Sequence, residues 1–139
     1  SPQPSPAFNA APVPIATGEI RYLGSGQRVA PLEIVTRPGA SYFVKLINSQ
    51  TRRVALLAFI HGGDPFQVDM PLGAYEMRYA VGQIWYGEQL LFGPTTTYSR
   101  ADASFNFRDE GAQYSGYTVE LIMQTGGNLN VESIPATEF

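Results

Sequence analysis

Apolar and polar residues alternate with a period of two along most of the chain after residue 17, and this period predicts β-strands. In residues 73–81, Tyr75 and Tyr79 fall on one face, whereas Glu76 and Arg78 fall on the other. The same alternation recurs in further segments at 32–34, 42–46, 66–70, 105–107, 117–123 and 129–131. Each of these strands therefore has one apolar face with which to build a core.

Residues 54–60 differ because they are apolar on both faces, which predicts a central strand covered on both sides. Turn signals rich in Gly, Pro and Asn separate the segments. Together these patterns predict an all-β fold, an antiparallel β-sandwich (Ig-like or prealbumin-like) of about eight to ten short strands. One helical turn is expected, at residues 99–103.

Residues 82–97, which we call the aromatic loop, break the alternation. Two apolar triplets at 84–86 and 90–92 lie between glycines and are too short to be independent strands. We expect this loop to fold over the sheet, with its aromatic side chains holding it in place.

Prolines are concentrated near the start of the chain, where five of the eleven lie within the first 14 residues. They predict an extended arm of polyproline character over residues 1–17. Residues 18–139 are then expected to form one β-sandwich domain, a length usual for a single domain. We expect the arm to lie either on its own domain or on a neighbouring subunit.

Residues 71–79 contain a Pro-Leu-Gly turn followed by an alternating strand with Tyr75 near its start. This element resembles the glycine turn and tyrosine strand of PEGA-type and carboxypeptidase-regulatory-like β-sandwich modules, and residues 31–34 with the turn at 38–39 are compatible with the same build. Residues 68–107 also resemble small bacterial proteins that pair such a domain with an N-terminal membrane segment. The resemblance implies a non-catalytic interaction domain in an extracytoplasmic location: periplasmic, on the cell surface or secreted.

Composition excludes several kinds of chemistry. The chain has no cysteine and one histidine, His61, which rules out thiolate metal sites, cysteine nucleophiles and histidine pairs. A net charge of −3 argues against a nucleic-acid partner, which requires a basic face. No apolar run approaches the ~18 residues of a membrane helix, so we expect no membrane insertion by this chain.

The remaining acid–base candidates occupy positions that are common in ordinary turns. His61 follows an apolar strand beside two glycines, and Asp64 precedes a proline. Asp69, Asp102 and the acidic pair at 109–110 lack the spacing of a calcium loop. We therefore predict a protein that is not an enzyme and has no catalytic residue, metal or cofactor.

Aromatic side chains remain as candidates for function. We predict Trp85, Tyr86, Phe92 and Tyr98 as binding residues, because large rings with polar edges bury much area at low entropic cost. Tyr114 and Tyr117 are nearby in the sequence. The same rings would also suit two further roles: a small core that closes one end of the sandwich, and a surface for stacking sugars.

The leading hypothesis is a protein-binding or structural assembly module that contacts itself or a partner protein through the arm and the aromatic loop. It predicts that Trp85→Ala weakens association and leaves the fold intact. The alternatives are a carbohydrate-binding module and an immunity or inhibitor protein that binds a toxin or hydrolase. An enzyme that uses Asp64 or Asp69 would require one of these carboxylates to lie in a concave pocket.

Overall fold

The structure is a computed structural model that describes residues 11–24, 27–107, 117–121, 131–134 and 139. These residues contain one short 3-10 turn, Gly93–Thr95, and no α-helix, so the predicted all-β fold is confirmed. The nine strands among them are β1 (Gly18–Tyr22), β2 (Arg28–Thr36), β3 (Ser41–Asn48), β4 (Val54–His61), β5 (Phe66–Pro71), β6 (Gly73–Gly82), β7 (Thr97–Phe107), β8 (Tyr117–Leu121) and β9 (Val131–Ile134).

The strands form two sheets in a sandwich-like arrangement. The larger sheet has six strands in the order β1-β4-β3-β6-β7-β9, and the smaller has three in the order β5-β2-β8. Neighbouring strands are antiparallel except for β2 and β8, which run parallel with Leu32 opposite Tyr117. The predicted antiparallel sandwich is confirmed as the dominant arrangement, and the parallel pair joins strands that are far apart in the sequence.

The helical turn expected at residues 99–103 is wrong, because these residues belong to the eleven-residue strand β7. The register between β6 and β7 shifts between Glu76 and Arg78. Such a shift is typical of a β-bulge, where extra residues interrupt the alternation of faces. Residues 1–10 of the arm, Tyr114, the acidic pair at 109–110 and the ends of two predicted strands (122–123 and 129–130) lie outside the described residues.

The inner face of the six-stranded sheet packs against the three-stranded sheet and forms the main core. Alternate residues of the central strands point towards it, including Leu46 of β3 and Leu56 of β4, while Leu32 and Ile34 of β2 meet them from the smaller sheet. Burial of each such side chain stabilises the fold by roughly 1.5–3 kcal/mol.

The outer face of the six-stranded sheet, opposite this core, is also partly apolar. Phe43 of β3 lies across from Phe59 of β4 on one side and Ala80 of β6 on the other. Strand β4 lies between β1 and β3 and is buried from Ala55 to Ile60, which confirms the predicted strand covered on both sides. The outer face is covered by irregular chain, which brings the candidate residues to it.

Candidate interaction surface

Trp85 and Phe92 of the aromatic loop lie in a buried cluster on the outer face of the sheet. The centroid of the Trp85 ring is 5.2 Å from that of Phe43 and 5.1 Å from that of Phe59. The Phe92 ring is 5.4 Å from Trp85, and only 6% of Trp85 and 2% of Phe92 are exposed. These two residues therefore form a small core, and the loop is held to the sheet by its aromatic side chains.

Tight turns place the loop on the sheet. The amide of Tyr86 donates to the carbonyl of Leu91 at 2.7 Å, and the amide of Leu91 donates to the carbonyl of Gly87 at 2.7 Å. Leu91 has a φ of 53°, a left-handed conformation that is rare for a bulky side chain. Leu91 is nevertheless buried in the cluster, whereas its neighbour Leu90 is exposed. The packing of the cluster outweighs this backbone cost.

Gly82, at the end of β6, allows Phe92 to approach the sheet closely. A Cβ atom added at Gly82 would overlap Cβ and Cγ of Phe92. A glycine at the end of a strand often marks such a close approach of another part of the chain. This glycine is a signal in the sequence that the predicted site did not include, and it points to the loop as the covering segment.

Of the other two predicted binding residues, Tyr98 packs half-buried against this cluster, and Tyr86 is half-buried in the loop next to Trp85. Tyr98 lies on the outer face of β7, where its ring centroid is 5.3 Å from that of Phe139. The Phe139 ring in turn lies 6.0 Å from Phe43. The structure thus brings three of the four predicted residues to one face, Trp85 and Phe92 as core and Tyr98 at its border, while Tyr86 belongs to the loop that covers this face.

Exposed apolar side chains are concentrated on the same layer. Val13 of the arm and Ile84 and Leu90 of the loop are half of the six large apolar residues that are exposed in the described part of the chain. The amide of Val13 donates to the carbonyl of Trp85 at 2.8 Å, which joins the arm to the loop at the residue that follows Ile84. We call residues 11–17 and 83–96 together the outer layer.

The described part of the arm is held to its own domain by hydrogen bonds. The hydroxyl of Thr17 accepts from the amide of His61 at 2.8 Å and donates to a carboxylate oxygen of Asp64 at 2.7 Å. The His61 ring also contacts the arm, since its Nε2 lies 2.8 Å from the carbonyl oxygen of Ile15. A carbonyl can only accept, so Nε2 carries the proton here. Both acid–base candidates of this turn therefore hold the arm.

A row of positively charged side chains crosses strands β3, β6 and β7 on the outer face, beside the aromatic cluster. Lys45 lies opposite Arg78 on β6, and Arg78 lies opposite Arg100 on β7. The carboxylate of Glu76 lies 3.0 Å from Arg78, 3.8 Å from Arg100 and 3.8 Å from Arg52. We call Lys45, Arg78 and Arg100 the cation row.

Phe139 lies over one end of this row. Its main-chain oxygen accepts from Lys45 Nζ at 2.7 Å, and its ring centroid lies 4.2 Å from the same atom. Burial, and secondarily the charge of Arg78, lower the pKa of Lys45. The charges in this row are therefore crowded and partly removed from water.

Asp64 and Asp69 are exposed, and neither lines the cavity of about 200 Å³ that opens near the turn between β3 and β4, next to Asn48 and Tyr75. Within the described ranges, no three His, Cys, Asp or Glu side chains lie close enough to share a metal ion. None of the described residues belongs to a helix long and apolar enough to cross a bilayer.

No protein-family model, curated protein or solved structure matches this chain. The resemblance to PEGA-type modules therefore stays a prediction from the sequence.

Proposed function

We propose that this protein is a non-catalytic protein-binding or assembly module whose contact surface is the outer layer. The observation that carries the proposal is the exposure of Val13, Ile84 and Leu90 on two segments that pack together. Apolar side chains displayed together on one surface are typical of sites that bind other proteins. The extracytoplasmic location implied by the resemblance belongs to the same proposal.

The rigidity of the layer favours this role. Trp85, Leu91 and Phe92 anchor the loop in the sheet, while Thr17 and His61 anchor the arm. A surface held in one conformation loses less entropy when it binds a partner. The buried aromatic residues therefore support the contact surface from beneath, and the half-buried Tyr86 and Tyr98 are the predicted residues best placed to touch a partner.

A sugar-binding role has less support from the same geometry. Stacking a sugar on Trp85 requires an exposed ring face, but the ring is buried against Phe43, Phe59 and Phe92. We therefore carry protein binding forward as the proposed function.

The experiment places a photo-cross-linking phenylalanine analogue at Leu90 and, as a matched control, at Leu72. The two leucines have similar exposure, 47% and 42%, but Leu72 lies at the turn between β5 and β6, away from the outer layer. We expect a protein adduct of defined mass from position 90, with the purified protein or in an extract of its natural source, and none from position 72.

The adduct at position 90 should be lost when Ile84→Glu is added, because a charge on this layer disrupts an apolar contact. Equal adducts from positions 90 and 72, or no adduct in either setting, would contradict the proposal.

A further inference from the structure

The cavity of about 200 Å³ lies at the end of β4 that is opposite to the arm. It opens between the turn that joins β3 to β4 and the residues that follow β1, whereas His61 and the docked arm lie at the far end of β4. We call it the turn cavity. A cavity of about 150 Å³ inside a protein can hold a benzene ring, so this one has room for a small ligand.

A β-bulge fixes one wall of the turn cavity. Ala55 is an extra residue of β4, inserted between the pairs that Leu46 and Ile47 of β3 form with this strand. The carbonyl of Ala55 accepts from the amides of Leu23 and Gly24, at 2.7 and 3.2 Å, and so ties the end of β1 to β4. Bulges are common next to binding and active sites, where they redirect side chains. The wall is therefore held by the main chain of the sheet itself.

Apolar and aromatic side chains form part of the cavity lining. Leu23, which is 52% exposed, and the half-buried Val54 supply apolar surface, and Tyr75 is buried. Burial, and then the neighbouring Tyr22, raise the pKa of Tyr75, while a hydrogen bond with the Asn48 side chain opposes the increase. The Tyr75 hydroxyl is therefore uncharged at neutral pH, so this part of the lining suits an apolar group and does not repel an anion beside it.

Arg53 is the charged residue of the described lining. Its side chain is exposed and has no ion-pair or hydrogen-bond partner within the part of the chain that the structure describes. The preceding residue differs, because Arg52 is absent from that lining and lies 3.8 Å from the carboxylate of Glu76. A guanidinium group binds a carboxylate through two parallel hydrogen bonds. Arg53 is therefore available to an anion that enters the cavity.

We propose that the turn cavity binds a small carboxylate with an apolar body, the carboxylate on Arg53 and the apolar body against Leu23 and Tyr75. Ligand pockets usually combine apolar walls with a few polar groups that fix the orientation of the ligand, and this lining has both. The site is separate from the outer layer and goes beyond the proposed function. The same chemistry is presented by a free organic acid and by the C-terminal residue of a peptide, so the experiment includes both.

The experiment titrates the isotope-labelled protein with benzoate and, separately, with benzamide, which has nearly the same shape and no charge. NMR follows the backbone amides. We expect saturable shifts at Leu23, Gly24 and Thr51 with benzoate, and binding of benzamide weaker by about tenfold or more, because only the carboxylate forms charged hydrogen bonds with Arg53.

Two matched variants test the role of the guanidinium group. Arg53→Gln should weaken benzoate binding by about tenfold or more and leave benzamide binding unchanged, because it removes the cation and keeps a polar side chain. Arg52→Gln removes the same charge one residue away, outside the described lining, and should change the affinity by less than about threefold at physiological salt. Both side chains are exposed, so neither change disturbs the core, and thermal unfolding verifies this.

A titration with acetylated glycyl-phenylalanine, as the free acid and as the amide, separates the two sources of the carboxylate. Tighter binding of the peptide acid than of benzoate assigns the site to a peptide C-terminus, and weaker binding assigns it to a free organic acid. Equal affinity for benzoate and benzamide, equal losses in Arg53→Gln and Arg52→Gln, or shifts confined to the outer layer would overturn the proposal. Cross-linking at position 90 does not involve this cavity, so each proposal can fail without the other.

Discussion

The two faces of the six-stranded sheet are both buried at its centre, but different kinds of chain cover them. The inner face packs against the second sheet. Its core residues, such as Leu46 and Leu56, come from alternate positions of the strands, as do the residues that meet them from the smaller sheet. The outer face meets the aromatic loop and the arm, whose residues follow no repeat. The comparison shows that an irregular segment can complete a core when a few large side chains anchor it, and its remaining residues are then free to form a surface.

The sharpest test of this comparison removes one anchor from each face. Trp85→Ala should lower the free energy of unfolding by about 3–5 kcal/mol and Leu56→Ala by about 2–5 kcal/mol, because both leave cavities in packed clusters. Urea unfolding followed by circular dichroism measures both variants. Tryptophan fluorescence cannot be used for both, because Trp85 is the only tryptophan and Trp85→Ala removes it. A loss below about 1 kcal/mol for Trp85→Ala would show that the outer cluster is not a core.

Alkaline pH should act on the inner face. Burial raises the pKa of Tyr42, Tyr75 and Tyr79 above the ordinary value of 10.0. Above pH 10 the unfolded chain has lost these protons while the folded chain retains them, so stability falls as the pH rises. Below pH 10 this contribution is fully present.

Lys45 acts in the opposite direction. Its lowered pKa means that stability rises with pH between that pKa and 10.5, where the unfolded chain binds more protons. The three tyrosines should outweigh this one residue. Urea titrations from pH 8 to 11, with tyrosinate absorbance, test the balance, and Tyr42→Phe should make the decline shallower. Tyrosine ionisation at the ordinary pH without loss of stability would contradict the expectation.

A smaller effect is expected from loosening the arm. Thr17→Val removes the hydroxyl that joins the amide of His61 to the carboxylate of Asp64, at about 0.5–1.5 kcal/mol for each bond. The amide of Val13 should then exchange faster with deuterium, because its bond to Trp85 depends on a docked arm. Exchange within β3 should not change. Unaltered protection of Val13 would mean that Thr17 does not secure this segment.

The smallest effect concerns the surface ion pair between Arg21 of β1 and Glu88 of the loop, at 3.1 Å. Both side chains are well exposed, so Glu88→Gln should lower stability by less than about 1 kcal/mol, and less still at high salt. Urea unfolding at two salt concentrations measures this. A larger loss would indicate that charge, rather than aromatic packing, holds the loop.

Much of the inner face could be predicted from the sequence because a strand with one buried face repeats every two residues. The alternation in residues 66–70 and 73–81 matches β5 and β6, and the apolar run at 54–60 matches β4. The prediction failed at residues 99–103, where the shift in register near Arg78 interrupts the period. The parallel pairing of β2 with β8 has no local signal, since it depends on which distant edges meet.

The candidate surface was predicted less completely. The aromatic residues were identified, but their chemistry is the same for a core and for a contact surface, so burial could not be assigned. Leu91 and Leu90 are adjacent and identical in type, yet the left-handed backbone at Leu91 buries one and exposes the other. The cation row had no signal in the sequence because Lys45, Arg78 and Arg100 are far apart along the chain and meet only through strand pairing.

By itself, then, the sequence determined an all-β chain, most of its strands, an irregular aromatic loop and the absence of cysteine and of a histidine pair, because these properties depend on local pattern and composition. The tertiary structure decided which residues of the loop became core, that His61 and Asp64 hold the arm, and which positive charges stand side by side. Those outcomes depend on sheet order and register, which bring together residues that no spacing along the chain relates.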